Sequence, residues 1–332
     1  MIRIGIVGCG NIAHTLAGVM TRLPEHMRIE AVAARDGHRA RSFADEFGVA
    51  KAYGSYEELY SDDDVDLVYV ATPHSHHMQC MLDALSHGRH VLCEKAFCVN
   101  ARQAEAVFAL ARERHLFVAE AIWTRYMPSR RMISDIIESG RIGRVTTITA
   151  NLGYSIIHKP RIADPALGGG ALLDIGVYPL NFVLMAREGM GVRNMMGSCV
   201  KSSGGVDVRE CVHIGFEDDS QAVIFADAEC VSDRKGIIYG TGGRIEVENV
   251  NNPERITVWS GDRNPVLLED IPITHSINGY EYELTSACHS IEAGLVEDPH
   301  MSWSETLRVL RYMDAFRQLW GVRLADEIEP GT

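Results

Sequence analysis

Three side chains in the sequence have the chemistry needed to move a proton. Lys95 follows an apolar segment that indicates a buried strand. Asp174 and Tyr178 stand four residues apart after the glycine run 168–170, and residues four apart share one face of a helix. A lysine in an apolar cleft loses solvation, so it can exchange a proton near neutral pH. Lys95 is therefore a candidate for general acid–base chemistry, and Asp174 and Tyr178 form a candidate pair on one helical turn.

Each of these residues also has a purely structural interpretation. A lysine at a strand end is often a structural residue, and Asp174 could cap a helix N-terminus while Tyr178 is a half-buried anchor. Pro179 fits only if a helix begins close to Asp174, because proline lacks the N–H needed deeper in a helix. The chemical interpretation depends on the elements that position these residues.

A glycine-rich turn near the N-terminus predicts a dinucleotide site. Residues 2–7 indicate a short buried strand, the next six are GCGNIA at 8–13, and an apolar-periodic helix follows. Gly8 and Gly10 let the backbone approach a pyrophosphate, whose charge meets the free N–H groups at the helix N-terminus. Such turns also occur in proteins that bind no ligand there. The position of this motif directly after a strand is what supports a dinucleotide site.

The end of the second predicted strand indicates the cofactor preference. An acidic residue there bonds the 2′-hydroxyl of NAD, whereas an arginine accommodates the 2′-phosphate of NADP. Arg35 follows the strand 28–34, Arg39 lies one helical turn further on, and Arg41 is close by. Two guanidinium groups could clamp a phosphate, so the pattern favours NADP. Asp36 could still serve a ribose hydroxyl, which leaves NAD as the alternative.

A histidine-rich loop follows a strongly apolar predicted strand. Thr72-Pro73-His74-Ser75-His76-His77 comes directly after residues 66–71, at a strand end where parallel sheets bind ligands. A His-x-His pair can also bind zinc, but no comparable Asp, Glu or His set stands at the other strand ends. We therefore expect this loop to line a cofactor, and we expect no metal site.

The order of the predicted elements indicates two domains of different construction. Strands alternate with helices over about the first 120 residues, which is typical of a parallel doubly wound sheet. The strands predicted after them follow one another through short turns, which indicates a mostly antiparallel sheet. These predicted strands are 145–154, 209–216, 222–230, 236–239, 245–247 and 256–259. We predict an α/β protein with a Rossmann domain (1–122) and an α+β domain (123–332) with a large open sheet for substrate binding and oligomerisation.

Composition limits the partners of the chain. Its 332 residues carry a formal net charge of −13, which argues against nucleic acid or an anionic membrane as a partner. Eight cysteines without zinc-site spacing, and the lack of a signal-peptide pattern, predict reduced thiols and a cytoplasmic protein. No apolar stretch approaches the roughly 18 residues of a membrane span.

Five motifs together resemble the Gfo/Idh/MocA oxidoreductases. They are GCGNIA at 8–13, ATPHSHH at 71–77, HGRHVLCEKA at 87–96, EAIWTRYMP at 120–128 and GGGALLDIGVYPL at 168–180. The resemblance spans essentially the whole chain. It is greatest for the branch that contains dimeric dihydrodiol dehydrogenases and NADP-dependent D-xylose dehydrogenases.

The resemblance implies roles for individual residues. Lys95, Asp174 and Tyr178 match the catalytic set of the family, with tyrosine where many relatives have histidine. The residues that match its cofactor-binding positions are Gly8, Gly10, Asn11 and Ile12 at the pyrophosphate, Arg35 and Arg39 at the 2′-phosphate, Thr72, Pro73, His74, His77, Glu94 and Lys95 on the nicotinamide side, and Trp123 and Arg125 packing over the cofactor.

One position departs from the family pattern. The usual Glu-Lys-Pro is Glu94-Lys95-Ala96 here, and the Lys–Pro bond of relatives is often cis. A cis bond without proline costs about 3–4 kcal/mol. Either the loop is trans and places Lys95 differently, or the surrounding packing imposes the cis form.

The resemblance implies an NADP-dependent dehydrogenase that transfers a hydride between nicotinamide and a secondary alcohol or hemiacetal carbon of a sugar or cyclic diol. Tyr178 would take the hydroxyl proton, Lys95 would stabilise the tyrosinate, and Asp174 would hold the pair. The alternative is a non-catalytic NAD(P)-binding sensor of the same fold, because Ala96 replaces the proline. Family members are usually homodimers or larger, which implies self-association through the exposed face of the C-terminal sheet.

Overall fold

The structure is a computed structural model that describes residues 1–324. The chain forms two compact units. The first contains Met1–Tyr126 and Ser276–Leu310, and the second contains Met127–His275 and the chain from Arg311 onward. Each unit is made of two stretches of chain, whereas the sequence predicts a single boundary between residues 122 and 123. That division into domains stays a prediction.

The first unit is built on a six-stranded sheet in which all paired strands are parallel. The strands are β1 Ile2–Val7, β2 Met27–Ala33, β3 Lys51–Tyr53, β4 Leu67–Val70, β5 His90–Glu94 and β6 Val118–Ala121. The helices between them are α1 Asn11–Met20, α2 Gly37–Phe47, α3 Tyr56–Tyr60, α4 His74–Ser86 and α5 Ala101–Arg114. The strand order β3-β2-β1-β4-β5-β6 is that of a Rossmann fold, so the predicted doubly wound sheet is confirmed.

Local sequence signals begin and end these helices. Ser55 and Glu58 form the capping box of α3, and the Asn100 side chain accepts the N–H of Gln103 at the start of α5. Gly48 ends α2 with a φ of 70°, the left-handed conformation that glycine adopts readily. All three are local signals of a helix start or end that can be recognised in the sequence alone.

The second unit contains an eight-stranded sheet with the order β14-β13-β12-β11-β7-β10-β9-β8. Only the pair β7 and β10 is parallel, so the sheet is mostly antiparallel as predicted. Its strands are β7 Val145–Gly153, β8 Val192–Lys201, β9 Asp207–Phe216, β10 Gln221–Asp227, β11 Gly236–Gly240, β12 Gly243–Glu248, β13 Arg255–Ser260 and β14 Leu267–Pro272. Its helices up to residue 275 are α6 Pro128–Glu138, α7 Pro160–Ala163 and α8 Val177–Ala186.

Two strands of this sheet were not predicted, namely β8 and β14. They are its edge strands, and most of their residues are exposed or half-buried. Strands without a fully buried face lack the regular apolar alternation by which sequence analysis recognises them. In β10, by contrast, Val223 and Phe225 are exposed and the residues between and beside them are buried. The face that carries Val223 and Phe225 is called the outer face below.

The opposite face packs against α8, all of whose residues are buried. The helical run Pro165–Ala186 has the length and composition of a membrane span, so the expectation that no stretch approaches that length is wrong. Its apolar window is entirely buried inside the protein, as in the core helix of a folded domain. Two further helices follow: α9 Glu281–Glu292 in the first unit, and α10 Trp303–Trp320, which begins in the first unit and ends in the second.

Candidate active site

The glycine turn after β1 lies close to the end of β4. Gly8 has a φ of +99°, and a Cβ atom there would lie 2.6 Å from the carbonyl oxygen of Ala71. A Cβ atom on Gly10 would meet nothing within 4 Å, so there is open space beside this residue. Strands β1 and β4 are neighbours where the strand order reverses, which is where Rossmann sheets bind ligands.

The turn leads directly into the N-terminus of α1, whose first residues are Asn11 and Ile12. No side chain caps this terminus, and its first turn contains no acidic residue. The Arg39 guanidinium donates to the Cys9 carbonyl oxygen at 3.0 Å, which brings a positive charge to the turn. A helix N-terminus beside a guanidinium group fits the phosphates of a dinucleotide.

Arg35 and Arg39 act electrostatically on the same neighbour. Burial raises the pKa of the Tyr56 phenol, and the positive charges of both arginines act to lower it. Burial also lowers the pKa of His76, and the charge of Arg35 lowers it further. Both arginines are exposed, so their guanidinium groups are accessible beside the turn.

Asp36 has a structural partner at the start of α2. Its carboxylate accepts the N–H of His38 at 2.9 Å and caps the helix. A carboxylate oxygen engaged in this cap is less available for a ribose hydroxyl, which favours the arginines over Asp36 as the adenosine-side residues.

The peptide bond between Lys95 and Ala96 is cis. Two histidines of α4 contact the carbonyl groups of this loop. Nε2 of His74 lies 3.3 Å from the Lys95 oxygen, and Nδ1 of His77 lies 3.0 Å from the Ala96 oxygen. Of the two alternatives that the sequence left open, the structure has the cis form. The Lys95 side chain is half-buried.

His77 joins the loops after β4 and β5. Its Nε2 lies 2.8 Å from the Thr72 oxygen, and Thr72 and Pro73 directly precede α4. Burial lowers the pKa of His77 to about 3, and the charge of His74 acts in the same direction, so the ring is neutral. The ring lies between two loops, and its single N–H donates to one of these two carbonyl oxygens. Contact with a nicotinamide stays a prediction. In residues 1–324, no group of three or more His, Cys, Asp and Glu side chains could hold a metal ion.

Glu94 belongs to a buried acidic cluster. Its carboxylate accepts the hydroxyl of Tyr69, which lies on the neighbouring strand β4. Burial raises the pKa of Glu283 on α9 well above its usual range, and the negative charge of Glu94 raises it further. Sequence reasoning identified Glu94 but neither of these partners.

Trp123 and Arg125 form a short 3₁₀ turn and are both buried. The Trp123 ring stacks on Tyr280 with the centroids 3.9 Å apart and the planes 9° apart. A terminal guanidinium nitrogen of Arg125 lies 3.3 Å from a carboxylate oxygen of Glu305. These two sequence-predicted residues are therefore fixed by partners from the return segment 276–310.

In the second unit, Asp174 and Tyr178 lie on one continuous helical segment. Leu172–Gly176 is a π-helix, and α8 follows it directly with Tyr178 and Pro179 in its first turn. The alternative that Asp174 caps a helix N-terminus is wrong, because Asp174 lies inside the π-helix. Single π-helical turns within helices are frequent at functional sites.

Several side chains that sequence reasoning missed support this segment. The buried Asp174 carboxylate accepts a hydrogen bond from Arg161, whose side chain is 46% exposed. Asp207 of β9 accepts the N–H of Leu172 at 2.6 Å, and a Cβ atom on Gly170 would lie 2.4 Å from its carboxylate. The lack of a side chain at Gly170 therefore has a steric reason, because a Cβ atom there would collide with the Asp207 carboxylate. Arg161 and Asp207 carry no local signal that would have linked them to Asp174.

The sequence-predicted residues divide between the two units. Lys95 and all the predicted cofactor-binding residues belong to the first unit, and Asp174 and Tyr178 belong to the second. A Rossmann sheet with a glycine turn at its reversal point, together with a large open sheet, defines the class of two-part dinucleotide-dependent proteins.

Comparison with known families identifies the class more closely. Residues 2–121 match the family described as an oxidoreductase family with an NAD-binding Rossmann fold, and residues 131–246 match the GFO/IDH/MocA C-terminal domain. The chain belongs to the Gfo/Idh/MocA oxidoreductase family.

Individual relatives match nearly the whole chain. The trans-1,2-dihydrobenzene-1,2-diol dehydrogenase of Danio rerio is 33% identical over 325 residues, 97% of each chain. The enzyme of the same name from Xenopus tropicalis is 34% identical over 327 residues, 96% of this chain and 98% of the relative. Among solved structures, KijD10, a 3-ketoreductase from Actinomadura kijaniata in complex with NADP and TDP-benzene, is 26% identical. Its TM-score is 0.86, and the match covers 96% of this chain and 97% of that chain.

Substitutions at the two glycines of the turn should have different effects. Gly8→Ala should destabilise the folded protein by about 1–3 kcal/mol, because its Cβ would lie 2.6 Å from a carbonyl oxygen at positive φ. Gly10→Ala has room for the methyl group and should keep the thermal midpoint, but it should weaken dinucleotide binding. Thermal unfolding and a fluorescence titration with NADPH measure the two effects. Equal destabilisation by both substitutions would contradict this interpretation of the turn.

Proposed function

We propose that this oxidoreductase is an NADP-dependent dehydrogenase that transfers a hydride between nicotinamide and a secondary alcohol or hemiacetal carbon of a sugar or cyclic diol. The observation that carries the proposal is the match to dihydrodiol dehydrogenases over 97% of both chains. A match of that extent includes both the glycine turn and the segment with Asp174 and Tyr178. The NADP complex of KijD10 supports the choice of cofactor.

The residues of the first unit fit a dinucleotide. Gly8 and Gly10 allow close approach of the pyrophosphate to the N-terminus of α1, where no side chain competes for the N–H groups. Arg35 and Arg39 supply exposed positive charges for a 2′-phosphate. The bound cofactor supplies the nicotinamide ring that accepts or returns the hydride.

The transfer of the substrate's hydroxyl proton is assigned to residues of the protein itself. The Tyr178 hydroxyl takes the proton of the substrate alcohol during oxidation and returns it during reduction. An unperturbed phenol has a pKa of about 10 and is a poor base at neutral pH, so it needs a positive charge that favours the tyrosinate. Lys95 is assigned as that charge. Asp174, fixed by Arg161, positions the reacting groups from within the same helical segment as Tyr178.

We also propose self-association of two copies of the chain through the outer face of the eight-stranded sheet. Val223 and Phe225 are 42% and 40% exposed there. The strand register places Met196 and Tyr239, which are also exposed, on the same face. Clustered exposed apolar residues on a polar-rimmed surface are typical of interfaces.

A cytoplasmic location is part of the proposal. All eight cysteines are free thiols, and several lie buried in the first unit. Free thiols persist in reducing compartments, whereas secreted proteins usually pair them.

The proposed reaction is tested with a panel of aldoses, inositols and aromatic trans-dihydrodiols, each supplied with NADP and with NAD. We expect formation of reduced cofactor, measured by absorbance, with at least one class of substrate and faster with NADP at low cofactor concentration. NADPH binding without turnover of any of them would favour the sensor of the same fold instead.

Tyr178→Phe in the same assay tests the assignment of the proton. We expect kcat to fall about 10²–10⁴-fold, the usual contribution of a general acid–base group, with NADPH binding kept. Tyr239→Phe, which removes a phenol oxygen from the outer face, should keep full turnover. Unchanged turnover in Tyr178→Phe would exclude Tyr178 as the proton acceptor.

Arg35→Ala and Arg39→Ala should each raise the Kd for NADP about tenfold or more. A hydrogen bond to a charged group contributes about 1.5–3 kcal/mol, and about 1.4 kcal/mol is a factor of ten in Kd. In Arg35→Ala the Kd for NAD should change much less, because NAD has no 2′-phosphate. Arg39→Ala also removes the contact to the Cys9 oxygen at the glycine turn, so it should weaken NAD binding in part. Arg41→Ala, on the same helix as Arg39, is the matched control and should leave the Kd values for NADP and NAD unchanged. A parallel loss of NAD and NADP affinity would mean that the arginines do not select the phosphate.

Phe225→Glu should shift the protein from dimer or larger oligomer to monomer, because it places a charge among the apolar residues of the outer face. Val231→Glu replaces an apolar, more exposed side chain that lies outside the strands, and it should leave the oligomer intact. Sedimentation velocity at several concentrations measures the distribution. An oligomer that survives Phe225→Glu at all concentrations would place the interface elsewhere.

A further inference from the structure

Glu120 is a buried carboxylate that the proposed reaction does not use. It lies on β6 and is 2% exposed. One of its oxygens accepts the N–H of Phe97 at 3.1 Å, and the other accepts the hydroxyl of Thr306 at 3.0 Å. Phe97 directly follows the cis bond between Lys95 and Ala96. The Glu120 carboxylate therefore joins the Lys95 loop to α10.

Several effects act in opposite directions on the pKa of the Glu120 carboxyl group. Burial raises the pKa of this carboxyl group to about 7. The hydrogen bonds from Thr306 and Phe97 and the positive charges of Arg125 and Lys95 act to lower it. A group with this balance changes its charge near neutral pH.

Two positive charges act on the Glu120 carboxylate, first that of Arg125 and then that of Lys95. Arg125 also pairs with Glu305, which compensates part of its positive charge. Cys93 and Tyr126 have pKa values raised by burial and, among further causes, by the negative charge of Glu120, so both are neutral near pH 7. The ionised Glu120 carboxylate thus acts on the Lys95 ammonium within a buried environment, where solvent screens charges little.

We propose that Glu120 is the positioning residue of Lys95, fixing its loop through the Phe97 N–H and supplying the negative charge that orients its ammonium group. This inference rests on the proposed function for the role of Lys95 in turnover. Above about pH 7 Glu120 is a carboxylate and Lys95 is oriented. Below it the carboxyl group is neutral, and that interaction is lost. Thr306 sets where the change occurs, because its hydroxyl favours the charged form.

The inference is tested by the pH dependence of kcat at saturating cofactor and substrate. The wild-type profile should have an acid limb with a midpoint of about pH 7. Glu120→Gln keeps the shape and the acceptor for Phe97 but has no charge, so it should lose about tenfold in kcat at alkaline pH, the effect of roughly 1.4 kcal/mol. It should also lose this acid limb. Thr306→Val should move the midpoint to higher pH.

Two controls separate positioning from a general effect of substitution. Glu113→Gln removes an exposed negative charge from α5 and should leave the profile unchanged. Thermal unfolding confirms that each variant is folded. An acid limb that remains at the same pH in both Glu120→Gln and Thr306→Val would overturn the inference.

A second measurement does not depend on turnover. The rate at which an amine-reactive reagent labels Lys95, followed by peptide mass spectrometry across the same pH range, should differ between wild type and Glu120→Gln, with the labelling of Lys51 as the internal standard. If the wild type turns over no substrate, the proposed function fails, and this labelling difference still decides the role of Glu120. Equal Lys95 labelling rates in the two proteins would overturn it.

Discussion

Irregular backbone inside a protein must find hydrogen-bond partners outside its own segment, and this requirement governs the proposed site. The loop that carries Lys95 has no strand or helix of its own to satisfy its carbonyl and N–H groups. His74 and His77 from α4 meet its carbonyls, and Glu120 from β6 meets the next N–H. In the second unit Asp207 meets the N–H of Leu172 in the same way. Both proposed catalytic segments are therefore fixed by buried polar side chains.

An acidic protein can bind a highly anionic cofactor only through local positive charge. The net charge of −13 opposes long-range attraction of a phosphate, and screening by salt limits that effect to about 10 Å or less. Within that range the proposed dinucleotide site offers the N-terminus of α1 and the exposed guanidinium groups of Arg35 and Arg39. The bond from Arg39 to the Cys9 oxygen fixes one of them against the glycine turn. Affinity for the cofactor then depends on a few residues.

The sequence predicted the features that local chemistry decides. The glycine turn, the capping box of Ser55 and the terminating Gly48 are short-range signals, and a parallel doubly wound sheet follows from the alternation of strands and helices. Features that depend on distant residues were missed: the edge strands β8 and β14, the π-helix beside Asp207, and the partner Thr306 of Glu120. The cis bond at Ala96 lay between these cases, because the family pattern left both isomers open and the structure shows the cis form.

The return segment 276–310 is synthesised long after strand β6, which it contacts. Strand β6 is an edge of the Rossmann sheet, and the Trp303 indole donates to the Val118 oxygen of this strand at 2.9 Å while its ring stacks on Phe108. Trp303 is added to the growing chain 185 residues after Val118. Until then the nascent Rossmann sheet has an uncovered edge, which is a template for wrong pairing with other chains.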